Sequence, residues 1–338
     1  MSGRSLRSIG VLALALTSIA PVPISAQKKA DAAKSPQSKS WTAPLAPDGH
    51  PDLQGNWVNK SATPLERPKQ LEGRQFLTDA EVAELKKRAD RLFKNGYSDM
   101  PAGDDLFLAA LANVEKYKRV TSTADSAIML EREFDNRTSL IVDPPDGKLP
   151  PYTPEGQQRG GALRAAVAKQ NPVTSIRDLT NFERCITWGV PMPRAGPDTS
   201  YYQIVQSPGY VVIVMEAIHD ARIIPLDGRP HLPRSMRTWN GDSVGRWEGQ
   251  TLVVDTTNFC DKDNFLGAAE NLHLVERFAR VAADEIRYEI TVDDPTTWTK
   301  PWTLVLRLKQ TQEKIYEFAC HEGNFEEMQD MLLGGRPH

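Results

Sequence analysis

From residue 201 onward, apolar and polar positions alternate with a period of two, in short runs separated by turn-forming residues. YYQIVQS and YVVIVM meet at Ser207-Pro208-Gly209. Further runs follow in SMRTWNGDSVGRWEGQTLVVDTTNF, HLVERFARVAADEIRYEITV and WTLVLRLKQTQEKIYEFACH, with turns around Gly241 and Gly249. Such runs predict an antiparallel meander, and about seven or eight strands of this kind curl into a barrel or a sandwich. Ahead of them the period lengthens. TDAEVAELKKRADRLF predicts a helix over 78–93, with Thr78 as cap, Glu81 completing a capping box, and Val82, Leu85, Ala89 and Leu92 on one stripe. Further helical insertions are expected over 105–120 and 155–170, and RTSLIVDPPDG reads as a strand ended by a turn. The class predicted is mainly β, an antiparallel up-and-down barrel with N-terminal helical additions.

Alternation also assigns faces. Read as one strand, YVVIVMEAIHDARII puts Glu216, Ile218, Asp220 and Arg222 on one side and Met215, Ala217, His219 and Ala221 on the other. In NLHLVERF, His273, Val275 and Arg277 oppose Leu274, Glu276 and Phe278. One set in each strand must line the interior.

The N-terminus changes the picture of location. Arg4 and Arg7 precede an apolar run, Ile9 to Ala20, too short to span a bilayer and followed by small residues to Ala26. This predicts a signal peptide over 1–26, cleaved near Ala26, and a periplasmic or secreted protein. Residues 27–50, rich in Lys, Ala, Ser and Pro, read as a flexible linker, 51–330 as a single barrel domain, and 331–338 as a tail. No later segment is apolar enough for a membrane helix. With 41 basic and 44 acidic residues the net charge is −3, and no basic stripe of the nucleic-acid kind stands out. Of three cysteines, Cys185 and Cys320 are expected to form a disulfide in an oxidising compartment, leaving Cys260 as a free thiol.

Two resemblances add to this. Gly55-Asn56-Trp57 at the start of a first strand, followed by a meander, is similar to the opening of calycin barrels such as lipocalins. The blocks APDGHPDLQGNW, ERCITW, EAIHDARIIPLDGRPHLP, GDSVGRWEGQTLVVDTTNF and YEFACHEGNF, spread over most of the mature chain, resemble those of a large group of exported bacterial proteins. The resemblance implies export and a shared fold; it supplies no reaction.

Candidate chemistry comes from the histidines of the β-rich half. His219, His273 and His321 are proton-transfer candidates, because imidazole titrates near neutral pH. Glu216, Glu276 and Glu322 would orient them or act as bases, while Arg222, Arg277, Asp220, Trp239 and Trp247 would bind a small organic substrate. This suits cofactor-independent elimination, isomerisation or hydrolysis. A non-catalytic ligand-binding protein is the alternative, and a structural role, with Glu-Arg and Asp-Arg pairs tying strands together, is the plain one. Zinc held by the three histidines and a carboxylate is a further reading; no H-x-H or H-x-x-x-H spacing supports it, and no resident metal is expected. Trp188, Tyr201, Tyr202, Trp298 and Trp302 would line a pocket or fill the core.

Overall fold

The computed structural model describes residues 41–94, 105–115, 132–160, 175–176, 179–191, 193, 200–261, 265–268 and 270–333. The expected signal peptide, residues 27–40 of the expected linker, residues 116–120 and 161–170 of the second and third expected helices, and residues 334–338 of the expected tail lie outside them.

The alternating runs fold as β1 (Gly55–Asn59), β2 (Ile141–Asp143), β3 (Tyr201–Ser207), β4 (Tyr210–Met215), β5 (Ala221–Pro225), β6 (Asp242–Glu248), β7 (Thr251–Thr257), β8 (His273–Ala282), β9 (Glu285–Asp293) and β10 (Trp302–Thr311). Their order is β5-β4-β3-β1-β10-β9-β8-β7-β6, with β2 beside the start of β10. Apart from β2, each strand lies beside its neighbour in sequence, and β1 brings the two ends together by pairing with both β3 and β10. The result is an up-and-down antiparallel barrel of nine strands, one or two more than the meander predicted, because β1 joins it from far upstream. No ladder joins β5 to β6. That seam is closed at one end, where Gly245 leaves room for Leu226 and Ile224: a Cβ there would sit 2.7 and 2.8 Å from their methyl carbons.

Turn chemistry accounts for the hairpins. Pro208 and Gly209, at φ 80°, join β3 to β4, and Gly249, at φ 59°, turns β6 into β7. Gly241 makes no hairpin; it leads the β5–β6 crossover into β6. The interior is packed by alternate residues from all around, among them Trp57, Ile204, Ile224, Leu252, Leu274, Ile290, Trp302 and Leu306. Tyr202, Trp298 and Trp302 are thus core residues.

Of the helical additions, the first has the expected length and the second is shorter. Helix α1 (Asp79–Lys94) has the predicted capping box: Thr78 N donates to Glu81 Oε2 at 2.8 Å and Glu81 N to Thr78 Oγ1 at 3.3 Å. Helix α2 (Asp105–Leu111) ends nine residues before the expected 120, at a turn where Asn113 has φ 52°. Both helices bury Leu85, Ala89, Leu92, Leu106 and Phe107 in a second small core with Phe134. Residues 154–160 are helical. The linker expected over 27–50 is packed from residue 43, where Ala43 and Ala46 are buried. At the other end β10 stops at Thr311, and CHEGNFEEMQDML forms helix α3 (Cys320–Leu332) instead of strand and tail. Cys185 and Cys320 form the expected disulfide, with a Cα–Cα distance of 5.8 Å, and Cys260 is free. No helix among the described residues is long and apolar enough to cross a membrane.

Candidate functional site

The run read as one strand is broken at its centre. After Met215, Ala217–His219 make a single 3-10 turn with Ile218 and His219 at φ 56° and 45°, and β5 starts at Ala221. The face assignment made for Glu216 to Arg222 therefore fails. Glu216 Oε2 accepts from Tyr316 N at 3.2 Å outside the barrel, exposed His219 lies with Nδ1 3.3 Å from Phe318 O, and Arg222 turns inward.

In β8 the predicted alternation is realised: Leu274, Glu276 and Phe278 are buried, while His273 and Arg277 face outward. Glu276 meets Arg222 across the interior. Arg222 Nη1 donates to Glu276 Oε1 at 2.9 Å and Nη2 to Oε2; Tyr288 Oη also donates to Oε1. Arg222 Nη2 further reaches Ser243 Oγ at 3.2 Å and Thr256 Oγ1 at 3.1 Å, which ties β5 to β6 and β7 at the seam. Burial works against the Arg222 charge, but the charge and hydrogen bonds of Glu276 outweigh it and raise its pKa. Burial and then the Glu276 charge push the Tyr288 phenol well up, and Tyr202 likewise. With its acceptors filled, Glu276 is a strut rather than an exposed base. The adjoining interior cavity, of about 10 Å³, has the size of one water.

The larger cavity, about 320 Å³, lies where the seam opens, between Asp220–Ile223 at the start of β5 and Thr238–Ser243 leading into β6, with Ile186 on a third side. Three of the expected binding residues, Asp220, Arg222 and Trp239, line it. The Thr187 hydroxyl lies 2.6 Å from Asp220 Oδ2 and 2.8 Å from Asn240 Oδ1, and Gly189 N donates to it at 2.9 Å. Cys185, two residues upstream of Thr187, fastens this wall to α3.

Asp242, at the cavity margin, starts a chain of polar contacts along the outer face of the barrel. It accepts from Arg229 Nη2 at 2.6 Å and Leu232 N at 2.9 Å, and lies 2.9 Å from His231 Nδ1. His231 Nε2 and His273 Nε2 both lie 3.0 Å from Asp255 Oδ1. His231 thus lies between two carboxylates, one at each ring nitrogen. The hydrogen bond from His273 holds the Asp255 carboxyl below its ordinary range, and Asp255 in return raises His273. Burial opposes ionisation of Asp242, yet Arg229, Leu232 N and His231 together keep its pKa low.

The other expected residues do not converge. His273 is outside the barrel, His219 is on the β4–β5 turn, and His321 and Glu322 are exposed in the first turn of α3. Among the described residues no group of three His, Cys, Asp or Glu side chains is placed to hold a metal ion, so the three-histidine zinc arrangement is not formed. Arg277 pairs with Glu248 at 2.8 Å on the outer face. Trp247 packs into the core further along β6 and stacks on His50, with ring centroids 4.7 Å apart, and so gives His50 a packing role that the linker reading missed. Sequence reasoning assigned no role to Thr187, His231, Asn240, Asp242 or Asp255. His231 and Asp255 stand inside the GRPHLP and LVVDTTNF blocks, where a polar residue beside a β run was the available signal. Comparison with known proteins adds no relative: no family model matches the chain, and no curated protein or solved structure does.

Proposed function

We propose that the protein is an exported binder of a small polar organic molecule, held in the seam cavity between β5 and β6. The observation that carries this reading is the cavity itself. Its volume of about 320 Å³ stands at the lower end of the range of about 300–1,000 Å³ usual for small-molecule sites. A carboxylate, an amide and an indole face it from a rigid frame. The interior cavity beside Arg222 and Tyr288, about 10 Å³, has room for a single water. Export rests on the Arg4–Ala26 leader pattern and on a disulfide suited to an oxidising compartment.

The test is native mass spectrometry of the full chain purified from an exporting host, alongside Ala221→Trp, which fills the cavity from β5. A retained organic mass that disappears in the variant supports the reading. A mass retained equally by the variant, or a bare chain whose melting temperature no compound in a broad small-molecule screen raises, sinks it.

The chain Asp242–His231–Asp255–His273 favours a second reading, cofactor-independent acid-base catalysis of an elimination, isomerisation or hydrolysis. Asp242, which lines the cavity and heads the chain, would be the base, and the chain would exchange protons with solvent through half-exposed His273. Under this reading His231→Gln abolishes turnover and leaves ligand affinity in place; under the binding reading no retained ligand is turned over.

A further inference from the structure

The charged groups around the seam cavity do not cancel. Arg222 is neutralised by Glu276, which takes both of its terminal nitrogens, and Asp242 is held by Arg229 and His231. Asp220 has only the neutral Thr187 hydroxyl, and among the described residues no basic side chain pairs with it. Among the described residues lining the cavity, Asp220 is therefore the carboxylate without a basic partner. The Thr187 hydroxyl fills one acceptor position of the Asp220 carboxylate and leaves the others open. Beside them stands the Trp239 indole, whose electron-rich face attracts cations, and Ile186 and Ala221 supply apolar wall.

We infer that the ligand of this cavity is an organic cation, a protonated amine or quaternary ammonium, with its charge between Asp220 and Trp239 and its hydrocarbon part against Ile186. An ammonium supplies the positive charge that Asp220 lacks, and a protonated amine also brings N–H donors to the open acceptor positions of its carboxylate. A neutral polyol supplies donors without charge, and an anion supplies neither. This inference rests on the binding reading above and adds the ligand's charge to it.

Titration calorimetry on the full chain tests it, with butylammonium, benzylammonium and choline as cations, benzyl alcohol and methyl glucoside as neutral probes, and benzoate as the anion. At least one cation is expected to bind, more weakly as salt is raised. Asp220→Asn, which keeps the side chain's shape and its Thr187 contact, should weaken that binding about tenfold or more, and Trp239→Leu should weaken it several-fold; circular dichroism and melting temperature confirm that both variants fold. If the neutral probes bind as well as the cations and Asp220→Asn changes nothing, the inference is overturned while the cavity remains a binding site. If no cation binds the wild-type chain, the inference is likewise overturned. Loss of all retained ligand and of every screening hit overturns the binding reading instead.

Discussion

At the scale of single residues, two positions hold the seam. Arg222 and Glu276 are an ion pair with almost no solvent contact, at 5% and 0% side-chain exposure, so the cost of removing one partner is dominated by the charge left behind. Arg222→Met alone should destabilise by about 3–5 kcal/mol in urea unfolding, and Arg222→Met with Glu276→Leu by less. Recovery in the double variant will be partial, because Tyr288 Oη then loses its carboxylate acceptor. Gly245 is the second position. Any side chain there meets Leu226 and Ile224, so Gly245→Ala should cost about 1–3 kcal/mol by overpacking in the same assay. Residue types and faces were partly legible beforehand: alternation placed Glu276 and His273 on opposite faces of β8, and the structure decided that the Glu276 face is the inner one. The inward turn of Arg222 was not, because it follows from positive φ at Ile218 and His219, a backbone state that side-chain alternation does not report.

Among the elements, the β5–β6 crossover is fastened by Arg229 and His231 to Asp242 and by His231 to Asp255, while Asn258 Nδ2 donates to Leu232 O at 2.8 Å. This clamp should depend on pH. Asp255 titrates below its ordinary 3.8, so its contribution is present above that value and is lost as pH falls through the lowered one. His273 titrates above its ordinary 6.5, from the Asp255 hydrogen bond and the charges of Asp255 and Asp293, so its contribution is full below 6.5 and is lost as pH rises through the raised value. Both act together from roughly pH 4 to 6.5. Melting curves across pH should show His273→Gln falling furthest below wild type in that window and converging with it above; solvent around half-exposed His273 keeps the difference small. A second fastening is covalent. The disulfide closes a loop with a sequence separation of 135, which in the chain-entropy model is worth roughly 5 kcal/mol. Cys185→Ser with Cys320→Ser should lower the urea midpoint accordingly, and wild type under reductant should match the variant. The cysteine pair was legible in the sequence, whereas α3 was not: YEFACH continues the β-like composition of the preceding strand.

In the whole molecule, a barrel joined everywhere except at β5–β6 concentrates its unpaired backbone at one seam. Amide exchange should therefore be faster in β5 and β6, each paired on one side, than in β8 and β9, paired on both. An opposite ranking would mean that the seam closes in solution. The sequence by itself determined the meander, the Pro208-Gly209 and Gly249 turns, the Thr78–Glu81 cap of α1 and the pairing of Cys185 with Cys320. Each depends on nearby residues or on a simple choice among three cysteines. Only the tertiary structure decided that β1 closes one side of the barrel by pairing and that no ladder closes the other. It also decided that Glu276 meets Arg222 54 residues away and that Asp220 meets Thr187 33 residues away, while the three histidines stay apart. Periodicity fixes which side of its own strand a residue occupies. Which strands face each other, and where a gap between them leaves a cavity, depends on how the whole barrel curls and closes.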